Sequence, residues 1–248
     1  MTGLLRLDGD WAGLNGWFQA STRPSAPLVV ALHGCTQTAA LYARASGWQA
    51  LAARHDFALL LPEQTKRNNQ SLCFSWFDPN AVRHGEGAAI LRMVDTVSAA
   101  HGLDPSRCYI TGLSAGAAML LALLEAHPGR FAAAAPLAGV PAGAALDVAS
   151  GLNAMAGGVP AAAQLARHVP QSPPPLSLWH GLADDRVHPR NAEHLAIAWA
   201  LAGGTVESHL IPGLGHAQPI GPDGTPGQHF VRGLGDSTSE IAHFFGLH

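Results

Sequence analysis

The 248-residue sequence has few charged side chains, and they do not cluster. Charged residues make up 12% of the chain, the formal net charge is −3, and Lys66 is the only lysine. Proteins that bind nucleic acid through its phosphates need clustered Lys and Arg side chains. The sequence therefore predicts no nucleic-acid partner.

Cysteine is scarce too, which limits the kinds of site that the chain can form. Cys35, Cys73 and Cys108 are too few for a disulfide framework. They do not occur as the Cys-x-x-Cys pairs that are typical of zinc sites. We therefore expect no metal site built on cysteine.

Long hydrophobic runs are missing as well. No segment reaches the roughly 18 uninterrupted apolar residues of a membrane-spanning helix, so we expect no membrane partner. Leu4 and Leu5 are followed at once by Arg6, Asp8 and Asp10, which is unlike the apolar centre of a signal peptide. Either the protein is made without a signal and is cytoplasmic, or a signal has been removed and the protein is secreted or periplasmic.

Hydrophobic residues, by contrast, make up 48% of the chain, which is enough to bury a core. Extended apolar runs alternate with segments whose apolar residues recur at helical spacing, which predicts a mostly parallel sheet with helices on both faces. We find no repeat or linker, and expect one domain over residues 1–248 without a separate substrate-binding domain. The predicted strands are residues 27–32, 57–61, 108–111, 132–137 and 176–179. The predicted helices are residues 41–54, 87–100, 115–127 and 191–201, and a last one near Ser237, where Ser237 and Glu240 have capping-box spacing.

A candidate nucleophile lies between a predicted strand and a predicted helix. Residues 112–116, Gly-Leu-Ser-Ala-Gly, match Gly-x-Ser-x-Gly, and the strand–turn–helix setting is the one that this motif requires. A nucleophile on a sharp turn needs small neighbours so that strand and helix can approach closely. The alternative is a serine that only caps the helix. The setting favours Ser114 as the nucleophile of an α/β-hydrolase fold.

Serine needs a base to accept its proton, and histidine suits that task at neutral pH. The chain has fourteen histidines, so position must decide. In the α/β-hydrolase fold the base follows the nucleophile and the acid in the chain, and His216 lies on a Gly-rich loop near the C-terminus. His209 lies within a segment that reads as a strand and is the weaker candidate. We predict His216 as the base.

The acid should orient the base from the carboxyl end of a strand. Asp184 follows the predicted strand at 176–179, and Asp185 is its rival in the same turn. The developing oxyanion needs backbone donors, of which one should be the N–H after the nucleophile, that of Ala115. The loop after an early strand supplies the other, and the His-Gly turn at 33–34 assigns it to the N–H of Cys35.

Several segments resemble the polyhydroxybutyrate depolymerase-like esterases, a family that also includes feruloyl and acetylxylan esterases. The matching segments are PLVVALHGCTQTA (27–39), LLPEQ with Asn68 and Asn69, CFSWFDP (73–79), YITGLSAGAAM (109–119), APLAGVP (135–141), LWHGLADDRVHP (178–189) and GLGHAQPIG (213–221). The resemblance implies the nucleophile, acid and base at Ser114, Asp184 and His216, and the oxyanion donors at Cys35 and Ala115. The family's acid is the fourth residue after the His of His-Gly, which favours Asp184 over Asp185.

The resemblance also implies an activity. It indicates a serine carboxylic-ester hydrolase that forms an acyl-enzyme and needs neither a metal nor an organic cofactor. Polymer-degrading members usually carry a signal, a linker and a further domain, which this chain does not show. Soluble esters or hydroxyalkanoate oligomers are therefore the expected substrates. Feruloyl or acetylxylan esters, a peptidase of the same fold and a catalytically silent binding protein are the alternatives.

Two structural expectations follow from the same resemblance. A disulfide is implied between Cys35 and Cys73, with two buried thiols as the alternative. Phe74, Trp76 and Phe77 then lie in an irregular loop beside the oxyanion donor. We expect these three aromatic side chains to line the substrate pocket, although aromatic residues also serve simply to fill a core. The sequence does not indicate an oligomeric state.

Overall fold

A computed structural model of the chain describes residues 3–247. Within these residues eight strands form one sheet, whose order is β1-β2-β4-β3-β5-β6-β7-β8. The first two strands pair antiparallel, and the other six run parallel to one another. In chain order they are β1 (Leu5–Leu7), β2 (Asn15–Gln19), β3 (Leu28–Leu32), β4 (Ala58–Glu63), β5 (Cys108–Leu113), β6 (Ala133–Leu137), β7 (Leu176–Gly181) and β8 (Val206–Ile211).

Helices cover both faces of this sheet, and the α/β-hydrolase fold predicted from the sequence is confirmed. Alternate residues of β3 belong to two separate cores, with Leu28 and Val30 facing one and Val29 and Ala31 facing the other. Helices α4, α5 and α8 pack into the first core, and α1, α2 and α9 into the second. The helices are α1 (Ala39–Ala45), α2 (Trp48–His55), α3 (Pro79–His84), α4 (Glu86–His101), α5 (Ala115–Ala126), α6 (Val148–Met155), α7 (Ala162–Leu165), α8 (Arg190–Leu201) and α9 (Ser237–Phe244).

The five predicted strands are confirmed as β3 to β7. They were recognisable in the sequence because a strand that is shielded on both faces reads as a continuous apolar run. The sequence analysis missed β1 and β2. Burial alternates along β2, and β1 is short and mostly exposed, so neither forms such a run. These two strands extend the sheet at the edge away from β8.

Two details of the predicted helices are wrong, although the last helix begins at Ser237 as predicted. The helix predicted over residues 41–54 is interrupted at Gly47, whose φ of 90° lies in the left-handed region. The capping box predicted for Ser237 is absent, because Asp236 caps α9 by accepting a hydrogen bond from the N–H of Ser239. Ser237 is fully buried, and its hydroxyl donates instead to the carbonyl of Pro219.

The parallel strands bring three segments together at the carboxyl ends of the sheet's strands. The loop that begins at His33 follows β3, the turn at Ser114 follows β5, and the turn at Asp184 follows β7. The carboxyl ends of parallel strands lie on the same side, where ligands bind in folds of this class. A fourth segment, containing His216, follows β8 and leads to the two short strands β9 (Gln218–Pro219) and β10 (Phe230–Val231). Among residues 3–247, no helix is both long enough and apolar enough to span a membrane.

Close backbone packing joins two of these segments. A β-carbon on Gly116 would lie 2.3 Å from the carbonyl oxygen of Leu32 and 2.7 Å from that of His33. A β-carbon on Gly112 would lie 2.7 Å from the carbonyl carbon of Gly116. The absence of these side chains lets the first turn of α5 contact the end of β3 directly.

This contact predicts a large effect for Gly116→Ala. The new methyl group meets backbone atoms, which cannot rotate away, so β3 and α5 must separate. We expect the free energy of unfolding to fall by about 1–3 kcal/mol, as for other overpacked sites. Chemical denaturation measures the loss, with Gly3→Ala as the control because a β-carbon there meets nothing within 4 Å. Equal stability of Gly116→Ala and the unsubstituted protein would contradict the proposed contact.

Candidate active site

Ser114 lies at the tip of the turn between β5 and α5. Its φ of 56° and ψ of −117° place a non-glycine residue in a strained conformation, which costs about 1–3 kcal/mol and is typical of functional turns. The hydroxyl makes no capping hydrogen bond to α5, which removes the capping alternative. The Ser114 Oγ instead lies 2.8 Å from the Nε2 of His216.

His216 connects this serine to a buried carboxylate. Its Nδ1 lies 2.8 Å from the Oδ2 of Asp184. An ionised carboxylate can only accept, so Nδ1 carries the proton and Nε2 is left to accept the hydroxyl proton of Ser114. The structure thus brings the three predicted triad residues into one hydrogen-bonded chain.

Asp184 is held by donors on both of its oxygens. The Oδ1 accepts the N–H groups of Arg186 and Val187, each at 2.9 Å, and the Oδ2 accepts from His216. Burial opposes ionisation of the carboxyl group, but hydrogen bonds from His180, His216 and the Val187 backbone outweigh it and hold the pKa of Asp184 well below its ordinary value. Asp184 is therefore an anion at neutral pH.

The neighbouring carboxylate takes no part in this arrangement. Asp185 is exposed and makes no hydrogen bond to His216. The turn that follows β7 orients only Asp184 inwards, because its Oδ1 closes the turn on the Arg186 and Val187 N–H groups. The geometry thus favours Asp184 over Asp185 as the partner of the histidine.

His180 is a site residue that the sequence analysis did not identify. Its side chain is fully buried, and its Nε2 lies 2.8 Å from the carbonyl of Val187 and 3.4 Å from the Oδ2 of Asp184. Both neighbours are acceptors, so this nitrogen carries a proton. The Nδ1 is buried without a partner among residues 3–247, which is costly and indicates that the ring is retained for its Nε2–H.

The two predicted oxyanion donors belong to two segments that meet at Ser114, the loop after β3 and the first turn of α5. The Ala115 N–H belongs to the first turn of α5 and has no partner within the helix. Neither it nor the Cys35 N–H donates to another described residue. Gly34 lies beside the nucleophile, since a β-carbon on it would be 3.5 Å from the Cβ of Ser114. Both N–H groups are therefore unpaired on segments that adjoin Ser114.

His33 fixes the orientation of one donor. Its Nε2 accepts the N–H of Gln64 at 3.0 Å, so its Nδ1 carries the proton and donates to the carbonyl of Gly34 at 2.7 Å. In a trans peptide the carbonyl and the next N–H point in opposite directions. The Cys35 N–H is consequently directed away from His33. Burial lowers the pKa of His33, which keeps this ring neutral.

The disulfide between Cys35 and Cys73 is confirmed. It joins the loop at 33–38, which carries the predicted oxyanion donor Cys35 and is called the oxyanion loop below, to the irregular segment that carries Trp76 and Phe77. Cys108 is a free, buried cysteine, and burial raises the pKa of its thiol to about 12. Cys108 is thus a core residue.

A buried carboxylate anchors the same irregular segment, and the sequence analysis missed it. Glu86 accepts hydrogen bonds from the Ser75 N–H and from the amide of Gln64, both at 2.8 Å. The Gln64 amide also donates to the carbonyl of Cys73 at 3.1 Å. Since the Gln64 N–H is bonded to His33, this network connects the disulfide segment to the oxyanion loop.

An apolar cavity of about 350 Å³ opens beside Ser114. Trp76 and Phe77 line this cavity, but the prediction for Phe74 is wrong because Phe74 does not line it. Phe74 is fully buried in the core, where its ring packs against that of His33 with 4.9 Å between centroids. Further apolar walls that the sequence did not indicate come from Val140, Val148, Leu152, Met155 and Val187.

No group of three or more His, Cys, Asp or Glu side chains that could hold a metal ion is present within the described range 3–247.

The fold and the arrangement of the site define an α/β hydrolase. A family model described as Esterase PHB depolymerase matches residues 19–209. Poly(3-hydroxyalkanoate) depolymerase C of Paucimonas lemoignei is 39% identical over 90% of this chain, and feruloyl esterase B of Thermothelomyces thermophilus is 29% identical over 92%. The chain belongs to the PHB depolymerase esterase family, as the resemblance predicted.

This chain covers a different fraction of the length of each relative. It spans 64% of the length of the Paucimonas depolymerase and 85% of that of the feruloyl esterase. A solved acetyl xylan esterase from Aspergillus awamori superposes with a TM-score of 0.80, covering 99% of this chain and 100% of its own, at 20% sequence identity. That likeness shows a shared fold.

The disulfide predicts a loss of stability when both of its cysteines are replaced. The two cysteines are 38 residues apart, and closing a loop of this size contributes about 3–4 kcal/mol. The Cys35→Ala, Cys73→Ala double variant should unfold more easily by about that amount. Adding a reductant should lower the melting temperature of the unsubstituted protein and leave that of the double variant unchanged. A reductant effect of equal size in both proteins would count against this role.

From the contact between His180 and Asp184 we predict how a substitution at His180 changes the dependence of stability on pH. His180→Leu removes one donor from Asp184, so the depressed pKa of that carboxyl group rises. A carboxyl group whose pKa is depressed in the folded protein contributes stability at pH values above that pKa. This contribution is lost as the pH falls through the depressed pKa. The free energy of unfolding, measured by chemical denaturation at decreasing pH, should therefore begin to fall at a higher pH in His180→Leu. His180→Gln restores a side-chain N–H and should move that pH back, whereas an equal loss at every pH would show a purely structural role.

Proposed function

We propose that the chain is a serine carboxylic-ester hydrolase. The observation that carries this proposal is the hydrogen-bonded chain from Asp184 through His216 to Ser114, beside two unpaired N–H groups. The eight-stranded sheet, its helices and the loops that connect them supply every residue of the site, and we propose that they form the catalytic domain.

The geometry supports an acyl-enzyme mechanism. His216 Nε2 takes the hydroxyl proton while Ser114 Oγ attacks the ester carbonyl. The Cys35 and Ala115 N–H groups stabilise the oxyanion, and each such donor is worth about 3–4 kcal/mol in the transition state. Asp184 stabilises the imidazolium and keeps its orientation. His216 then protonates the leaving alcohol. Water next attacks the acyl-enzyme carbonyl while His216 takes its proton, and His216 returns that proton to Ser114 Oγ as the bond to the acyl group breaks and the acid leaves.

The acyl group belongs in the apolar cavity. That cavity is lined by Ser114 and by both oxyanion donors, but not by His216. It contains no charged side chain, and Trp76 and Phe77 form part of its wall. An acyl chain placed there lies next to the donors and leaves the histidine free to reach the departing oxygen.

Hydroxyalkanoate oligomers and soluble short-chain esters are the substrates that we propose. The 39% identity to a poly(3-hydroxyalkanoate) depolymerase supports an aliphatic acyl group, as does the apolar cavity. The likeness to feruloyl and acetyl xylan esterases supports the alternative of aromatic or acetylated sugar esters. The disulfide supports an oxidising compartment.

A substrate panel with Ser114→Ala tests this function. Hydroxybutyrate oligomers, short p-nitrophenyl esters, feruloyl esters, acetylated xylan and a matched peptide amide are compared by kcat/KM. We expect the aliphatic esters to be hydrolysed fastest, and Ser114→Ala to lose several orders of magnitude while keeping its far-ultraviolet circular dichroism. Preferred cleavage of the amide would favour a peptidase, and unchanged turnover in folded Ser114→Ala would exclude this site.

The acid can be identified with a matched pair of substitutions. Asp184→Asn should lower kcat for the best ester by about three to four orders of magnitude, because an amide supports the wrong histidine tautomer. Asp185→Asn changes an exposed neighbour of the same size and should keep kcat within about twofold. The reverse ranking in measured rate constants would make Asp185 the acid.

A further inference from the structure

A second cavity continues from the catalytic cleft on the side away from the apolar cavity. The cleft above Ser114 is lined by His216 and Arg186. It shares Gln37 and His229 with a groove of about 370 Å³ between α1 and the loop at 225–230. We call this second cavity the Arg44 groove, because Arg44 lines it together with Leu41, Thr36 and Gln228. The cleft and the Arg44 groove thus form one path that passes over Ser114.

The charges along this path are of one sign. Arg44 lines the groove and Arg186 lines the cleft, and neither cavity is lined by an Asp or Glu side chain. The guanidinium groups of Arg44 and Arg186 make no ion pair with another described residue. The whole chain carries a formal net charge of −3, so this positive path differs from the protein as a whole. The apolar cavity on the other side of Ser114 has no charged lining.

The position of His216 decides which part of a substrate enters the groove. This step rests on the function proposed above. His216 must deliver a proton to the alcohol oxygen as the bond between that oxygen and the acyl carbon breaks. His216 lines the cleft that leads to the groove, and it does not line the apolar cavity. The alcohol part of the substrate therefore extends towards Arg44 while the acyl part stays beside Trp76.

We propose that the Arg44 groove binds the alcohol part of the ester, and that Arg44 recognises a carboxylate on it. A guanidinium matches a carboxylate with two parallel N–H donors, and an unpaired one lying in a cavity without acidic groups favours an anion. The preferred substrates are then esters whose leaving alcohol is itself a hydroxy acid with a free carboxylate. Arg186 adds positive charge over the cleft and attracts the same anion.

Matched substrates separate this preference from ester hydrolysis itself. The probes are butyrate esters of ω-hydroxy acids of increasing chain length, each compared with the primary amide of the same hydroxy acid. The two members of a pair share the acyl group and nearly the same shape, and differ in the charge of the leaving alcohol. We expect kcat/KM for the acid to exceed that for the amide by about five- to tenfold at one chain length. The ratio should fall as salt is added, because surface charges are screened over about 10 Å at 0.1 M salt.

Substitutions at Arg44 assign the preference. Arg44→Gln should bring the acid-to-amide ratio close to one, and Arg44→Lys should retain part of it. Arg23→Gln is the control. Arg23 is an exposed arginine before the amino end of β3, whereas the site lies at the carboxyl ends of the strands. This substitution should leave both the ratio and the rates unchanged.

The outcomes distinguish the two proposals. If both members of each pair are cleaved in a Ser114-dependent manner but the ratio is near one, the Arg44 groove is not a carboxylate site and the esterase proposal stands. A ratio above one that survives Arg44→Gln would also overturn the assignment to Arg44. If neither ester is cleaved, the proposed function itself fails.

Discussion

The direct contact between the backbone of α5 and the end of β3 is the constraint on which the position of the nucleophile turn beside the loop at Gly34 depends. Gly116 has no side chain, so the first turn of α5 approaches Leu32 and His33 more closely than any other residue would allow. The turn at Ser114 is thereby placed beside Gly34, which opens the oxyanion loop. The strain at Ser114 is sustained by this packing, since a strained conformation persists only where its surroundings determine it.

The loop on the other side of that contact is held in several independent ways. The Gly34 N–H donates to Gln37 at 2.9 Å, the Gly34 carbonyl accepts from His33, and Cys35 is bonded to Cys73. Asp184 is fixed in a comparable manner by two backbone N–H groups and two histidines. Donors that are already oriented do not have to reorganise during the reaction, which is how such sites stabilise charge.

The sequence predicted those parts of the site that depend on chain order and local pattern. The setting of Ser114 between a strand and a helix, and the positions of Asp184 and His216 after later strands, follow from the topology of the fold, and the structure brings the three side chains together. The pairing of Cys35 with Cys73 came from family resemblance and is confirmed.

Residues whose partners are distant in sequence were harder to identify. Glu86 acts through Gln64 and Ser75 on other segments, and no local spacing indicates it. His180 lies only four residues before Asp184, but the sequence does not show that its ring faces that carboxylate. Phe74 was grouped with Trp76 because the two are close in the chain, yet neighbouring side chains of an irregular segment point in different directions. The Arg44 groove is formed by α1 and a loop nearly 200 residues further on, so only the folded chain shows it.

The most direct test of the account is to identify the residue that becomes covalently modified. The folded protein is treated with a fluorophosphonate, which reacts with activated serines, and the digested product is examined by mass spectrometry. The account predicts one adduct, on the peptide that contains Ser114. An adduct on a different serine, or none in a protein shown to be folded, would contradict it.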